Sequence, residues 1–201
     1  MKKVILAALF IFISFSIQAK TLDDYQEEAE DGNIDSAFKS GMIYEFGIEG
    51  QINKNLNKSM RYYKIAHDGG NVKASARLGV INYDRANYKE ALSYFKVGAE
   101  KNESLSEAYL GKILEKNGKE DTALKFYEKS VRSNNPFGKM FLAEYYITNS
   151  PKGSDDFLKG YALLVSANKQ NPDAKRLLNR YPYKFNKSEQ ETLKKYIQMY
   201  P

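Results

Sequence analysis

Few side chains in this 201-residue sequence could do chemistry. His67 is the single histidine, and there is no cysteine. One imidazole among scattered carboxylates has no metal-ligand spacing. A serine nucleophile would find no base besides His67, and neither a G-x-S-x-G turn nor a glycine-rich phosphate loop occurs. His67 falls at the end of a helical stretch, where it reads as a solvated residue set favourably against the helix C-terminal dipole. Carboxylates pair at Asp23-Asp24, Glu27-Glu28 and Asp155-Asp156. A glycosidase-type dyad needs one acid in an apolar pocket facing its partner. These pairs instead lie in polar runs and suit helix first turns and surface positions. The sequence therefore assigns no catalytic residue, no metal and no cofactor.

What it does assign is an array of elements. Three windows align: KSMRYYKIAHDGG from Lys58, EALSYFKVGAEKN from Glu90 and TALKFYEKSVRSN from Thr122. Aromatic pairs fall at Tyr62/Tyr63, Tyr94/Phe95 and Phe126/Tyr127, 32 residues apart each time, with a small residue following at Ala66, Gly98 and Ser130. A fourth copy, KGYALLVSANKQN, carries Leu163/Leu164 and Ala167 after a 37-residue step. A second series runs between them: SAFKSGMIY, ASARLGVIN, SEAYLGKIL and GKMFLAEYY place Gly41, Gly79, Gly111 and Ala143 at one position, with spacings of 38, 32 and 32. Each unit is thus a pair of helices, A then B. Adjacent aromatics with a small residue one turn on make a wide apolar stripe on helix B, with both aromatics of each pair, such as Tyr94 and Phe95, expected buried. The small residue on helix A is expected to let the two backbones approach closely. One hairpin cannot cover such a stripe, whereas stacked neighbours can.

The fold class that follows is all-α, an α-solenoid of antiparallel helix pairs. Gly32, Gly69 with Gly70, and Asn134-Asn135-Pro136 punctuate the B helices. FGIEGQINKN lengthens the first unit and PKGSDD the fourth, insertions an array puts on one face. A capping helix over 21–31 aligns Ala29 and Gly32 with Ala66 and Gly69; four repeats cover 35–170, and capping helices occupy 172–200, the last opened by a capping box of Ser188 with Glu191. Ahead of this single repeat domain, 20–201, Lys2 and Lys3 precede a 14-residue apolar run, Val4 to Ile17. That pattern predicts a signal peptide over 1–19, cut after Ala19, and a periplasmic mature chain without direct membrane insertion. The absence of cysteine removes both a lipoprotein anchor and disulfide staples.

Net charge is +6, yet Thr21 to Phe38 holds seven acids and no base, while 28 bases face 18 acids from Lys39 onward. Such blocks read as solvated faces. With no basic run interleaved with stacking aromatics, nucleic acid is not an expected partner.

ASARLG, GMIYEFG, KSMRYYKIAHDGG and EALSYFKVGA resemble in pieces the pattern of Sel-one-like repeat (SLR) proteins, relatives of tetratricopeptide repeats, and NKSEQETLKKY is similar to the closing helix common in bacterial SLR proteins. The second and third units lack the family's G-x-G loop and sit nearer to a tetratricopeptide. The resemblance implies a monomeric, non-catalytic scaffold that recognises another protein through A-helix positions the hairpin leaves uncovered. These are Asp35, Phe38, Met42 and Glu45 in unit one; Lys73, Tyr83 and Asp84 in unit two; Lys112 and Glu115 in unit three; and Phe137, Met140 and Glu144 in unit four. For Phe38, Met42 and Met140 the alternative is inter-repeat core. Two roles fit such a binder: an immunity or inhibitor protein that neutralises a toxic secreted effector, or a structural adaptor in an envelope machine such as a flagellar motor, secretion or polysaccharide export complex.

Overall fold

The computed structural model describes residues 20–200. The expected signal peptide and its cleavage after Ala19 lie outside the described residues. Within them run eleven α-helices: α1 (Leu22–Glu30), α2 (Ile34–Phe46), α3 (Leu56–Asp68), α4 (Val72–Asp84), α5 (Tyr88–Glu100), α6 (Ser104–Lys116), α7 (Glu120–Arg132), α8 (Pro136–Asn149), α9 (Asp155–Ala167), α10 (Asp173–Arg180) and α11 (Lys187–Met199). Four A/B hairpins, α2–α3, α4–α5, α6–α7 and α8–α9, stack in chain order; α1 packs on α2, and α10 and α11 fold back onto α9.

One turn, used six times, sets this geometry. After a helix ends, a residue takes positive φ: Gly32, Gly70, Ala86, Asn102, Gly118 and Asn134. The next residue's N–H then donates five residues back, Asn33 to the Glu28 carbonyl, Asn71 to Ala66, Asn87 to Asn82, Glu103 to Gly98, Lys119 to Leu114 and Asn135 to Ser130. This is the Schellman closure, which satisfies two otherwise orphaned carbonyls at each helix end. Before every A helix of the array the residue after the turn also caps: Asn33, Asn71, Glu103 and Asn135 accept from the N–H groups of Ser36, Ala74, Ser106 and Gly138. The caps repeat at 38, 32 and 32 residues, the spacing of the small-residue series. These turns shift the expected register of α1 by one, because Gly32 aligns with Gly70 and Glu28 with Ala66. At the other end the capping box is Asn186 with Glu189, so α11 begins two residues ahead of the expected start.

Packing explains the aromatic pairs unequally. The second member is scaffold, with Tyr63, Phe95 and Tyr127 fully buried. Each lays its ring on the small residue of its own A helix: a Cβ added to Gly41 or Gly111 would stand 2.5 or 2.7 Å from Tyr63 or Tyr127 ring atoms. The glycines therefore admit a ring, and at Gly111 the α7 backbone comes close as well, with the Ala123 carbonyl oxygen 3.1 Å from an added Cβ. Close helix approach also occurs where Gly98 meets Ser106 and Gly138 meets Ser130 across the unit boundary. Of the first members Tyr62 and, in the fourth copy, Leu163 are buried; Tyr94 and Phe126 are half-buried, against the expectation for these pairs. Burying an aromatic side chain contributes about 1.5–3 kcal/mol. The four second positions, Leu164 included, thus form the spine of the array.

Candidate functional site

Curvature selects the face. Consecutive A helices α4, α6 and α8 touch directly, whereas the B helices α3, α5 and α7 make no more than marginal contact with one another. From α4 onward the array bends with its A helices inside, while α2 is tied to α4 by side chains, Glu45 with Arg77. On each A helix, residues 4, 3 and 4 apart share one side. Counted from the aligned small residue, the positions at −6, −2, +1 and +5 give Asp35, Lys39, Met42 and Phe46 on α2, and Lys73, Arg77, Val80 and Asp84 on α4. On α6 and α8 they give Leu105, Tyr109, Lys112 and Lys116, then Phe137, Phe141, Glu144 and Thr148.

This inner face changes character along its length. At the N-terminal end Met42 and Phe46, 39% and 52% exposed, form an apolar patch, with the Arg77 guanidinium 5.1 Å over the Phe46 ring. The middle is an aromatic floor. Tyr109 meets Tyr83, Phe137 and Phe141 at ring-centroid distances of 5.2, 5.6 and 5.2 Å. Lys116 sits over Tyr83 and Tyr88, at 4.9 and 5.1 Å.

Two ionic networks brace the face from beneath. Glu45 accepts from Tyr63 Oη at 2.6 Å and from Arg77 Nε at 2.9 Å, with a second, short contact from the same guanidinium. Burial works against the Arg77 charge, but the bonds to Glu45 outweigh it and raise its pKa above the ordinary value. Burial, with Glu45 beside it, raises the Tyr63 phenol. In the second network Lys112 bridges Glu115 and Glu144, each at 3.2 Å, and Tyr127 Oη donates to Glu115 at 2.5 Å. Glu144 also accepts from Tyr181 Oη at 3.2 Å and pairs with Arg180 at 3.5 Å, which ties α8 to the C-terminal cap.

The twelve residues expected to meet a partner are thereby sorted. Asp35, Met42, Lys73 and Asp84 are exposed on the inner face. Phe38, Tyr83 and Phe137 are half-buried, Phe38 with its ring 5.6 Å from Tyr63. Lys112, Glu115 and Glu144 are brought together, but largely spent on each other, and Glu45 is committed to α3 and α4. Met140 is inter-repeat core, the alternative given for it: at 7% exposure it lies in the cluster with Tyr127, Leu142 and Leu164, because its place on α8 is covered by neighbouring helices. Burial lifts the Asp84 carboxyl above its usual range, against the pull of Arg77.

Phe46, Arg77, Tyr109, Lys116 and Phe141 are inner-face residues that sequence reasoning missed. The signal was available, since the 4-3-4 phase about the aligned small residue picks out all five. His67 is not the solvated residue expected. Its Nδ1 lies 2.8 Å from Ser75 Oγ and its ring stands edge-on to Tyr94 at 5.1 Å, so it joins α3 to the next unit. Among the described residues no group of His, Cys, Asp or Glu could hold a metal, and no helix is long and apolar enough to cross a membrane.

No protein-family model and no curated protein matches the sequence. Solved structures do match in fold. A protective antigen present in uropathogenic Escherichia coli strains, displaying an SLR fold, is 23% identical with a TM-score of 0.70 over 89% of this chain, which spans only 40% of that one. A Sel1 repeat protein from Oxalobacter formigenes is 24% identical with a TM-score of 0.64, over 87% of this chain and 75% of that one. An immunity protein from Pseudomonas aeruginosa is 16% identical with a TM-score of 0.58, over 89% and 72%. The fold is the SLR solenoid.

Proposed function

We propose that this protein is a non-catalytic periplasmic binding module that grips a protein partner on its inner A-helix face, in the role of an immunity or inhibitor protein that neutralises a toxic secreted effector. The observation that carries the reading is the composition of that face: an exposed apolar patch at Met42 and Phe46 beside an aromatic floor, with Asp35, Lys73 and Asp84 exposed around them. Anchors of this kind, with orienting charges at their rim, suit a protein loop or extended segment. The internal ion pairs hold the face rigid, so little conformational freedom is lost on binding. The shared fold of the Pseudomonas immunity protein supports the role without extending to its partner.

The test is recovery of a tagged copy from periplasmic extract. A tight one-to-one complex with a secreted toxin, and loss of toxicity when the two are co-expressed, is the expected result. Co-fractionation with a membrane-bound motor, secretion or export complex would replace immunity by the adaptor role. Recovery in the cytoplasm alone would overturn the compartment.

A further inference from the structure

Consecutive units leave a notch where the first turns of one B helix face the last turns of the next A helix, and the repeat supplies three of these for comparison. Between units one and two the notch is built by Leu56, Asn57, Met60, Ile81, Asp84 and Arg85, and Arg85 spans it, with its guanidinium 3.1 Å from Met60 Sδ and 3.4 Å from Asn57 Oδ1. Between units three and four the same positions are Glu120, Asp121, Leu124, Tyr145, Thr148 and Asn149, and Tyr145 Oη donates across it to Glu120 at 3.1 Å. The middle notch, between units two and three, has no such hydrogen-bonded strap and is crossed at its rim by the Lys116 ammonium, 5.1 Å over the Tyr88 ring. It is a cavity of about 440 Å³, lined by Tyr88, Lys89, Leu92, Ile113, Lys116 and Asn117.

Charge separates the three as clearly as filling does. The first notch carries one acid and one base, the third two acids, and the middle two lysines with no acid. Neither Lys89 nor Lys116 makes an ion pair among the described residues. Interaction with the Tyr83 hydroxyl holds Lys116 in place and raises its pKa above the ordinary lysine value. The floor is apolar, from Leu92 and Ile113, and Tyr88 makes a wall that is 48% exposed.

We infer that the middle notch is a docking site for an acidic side chain of a protein partner, with a neighbouring apolar side chain of the same segment seated on Leu92 and Ile113; this rests on the reading of the chain as a protein-binding module. The lining donors are two ammonium groups and one carboxamide, all on side chains. A chain-end carboxylate is more often gathered by a nest of backbone N–H groups. An internal Asp or Glu reaches such donors from a passing segment.

The test needs no natural partner, so its failure is distinguishable from failure of the inner-face reading. Methyl and amide NMR spectra of the protein would be titrated with N-acetyl-leucyl-aspartate amide, with its asparagine counterpart, and with N-acetyl-leucine. The expected result is saturable shifts centred on Leu92, Ile113 and Lys116 with the aspartate probe, at least tenfold weaker with the asparagine probe and in a Lys89→Asp variant, which gives the middle notch the residue its third counterpart has. Salt should weaken the aspartate probe and leave the uncharged asparagine probe unchanged. Equal shifts from both amides, full binding by Lys89→Asp, or no shift at Leu92 and Ile113 would overturn the site. A preference for N-acetyl-leucine would overturn the assignment to an internal acid.

Discussion

One pair of positions shows how this chain writes its packing residue by residue. In units one and three the A-helix residue four beyond the small one receives the second B-helix phenol, Glu45 from Tyr63 and Glu115 from Tyr127, while the same two positions hold Tyr83 with Phe95 and Ile147 with Leu164 in the other units. A phenol occurs only where a carboxylate receives it. Tyr63→Phe should accordingly cost about 1.5–3 kcal/mol, the worth of a hydrogen bond to a charged group, in chemical denaturation. The co-occurrence was legible in the sequence, but its meaning was not, because nothing local says that Glu45 turns toward α3 and not outward. Glu107 is a second buried acid, 2% exposed on α6. Burial raises its carboxyl above the ordinary 4.5, against Lys129 and Arg132 and aided by Glu103. A raised acid favours the protonated fold, so its contribution is lost as pH rises through and beyond that ordinary value. Glu107→Gln should therefore melt higher than the wild type at pH 7, with the gap closing as pH falls below about 4.

At the scale of the element, the turns carry the period more faithfully than the helices do. Glycine or asparagine holds five of these six turn positions, and three of them, Gly32, Gly70 and Asn134, were read as punctuation. Ala86, at φ 61°, was not, since alanine gives no turn signal and its conformation is imposed by the closure around it. A left-handed alanine is strained by about 1 kcal/mol. Ala86→Gly should add about 0.5–1 kcal/mol and raise Tm by about 1–3 °C, read by thermal denaturation. The opposite is expected at Gly111, where a Cβ meets the Tyr127 ring inside a closed core. Gly111→Ala should cost about 1–3 kcal/mol by overpacking. The capping box of α11 was misplaced for a related reason: Ser188/Glu191 and Asn186/Glu189 have the same spacing. Only the preceding chain, with Tyr183 and Phe185 packed on Phe157 and Tyr161, decides between them.

For the whole molecule, the period of 32 was readable because each unit must present a ring to its own A helix and a small residue to the next. The inner face was read only in part. Residue type drew attention to Met140 and Glu45, which the fold turns away, while phase would have found Phe46, Arg77, Tyr109, Lys116 and Phe141. Curvature, which puts that phase on the inner face, is a property of stacked units and has no residue of its own. On the function proposed, this inner face, and not the outer B-helix face, meets the partner. This is tested by the affinity of the recovered partner for two variants of equal thermal stability, Phe46→Asp on the inner face and Lys125→Asp on the outer one, measured by titration calorimetry. Phe46→Asp should lose at least a hundredfold in affinity, about 2.7 kcal/mol, and Lys125→Asp should change it less than threefold. Unchanged binding by Phe46→Asp together with loss in Lys125→Asp would contradict it.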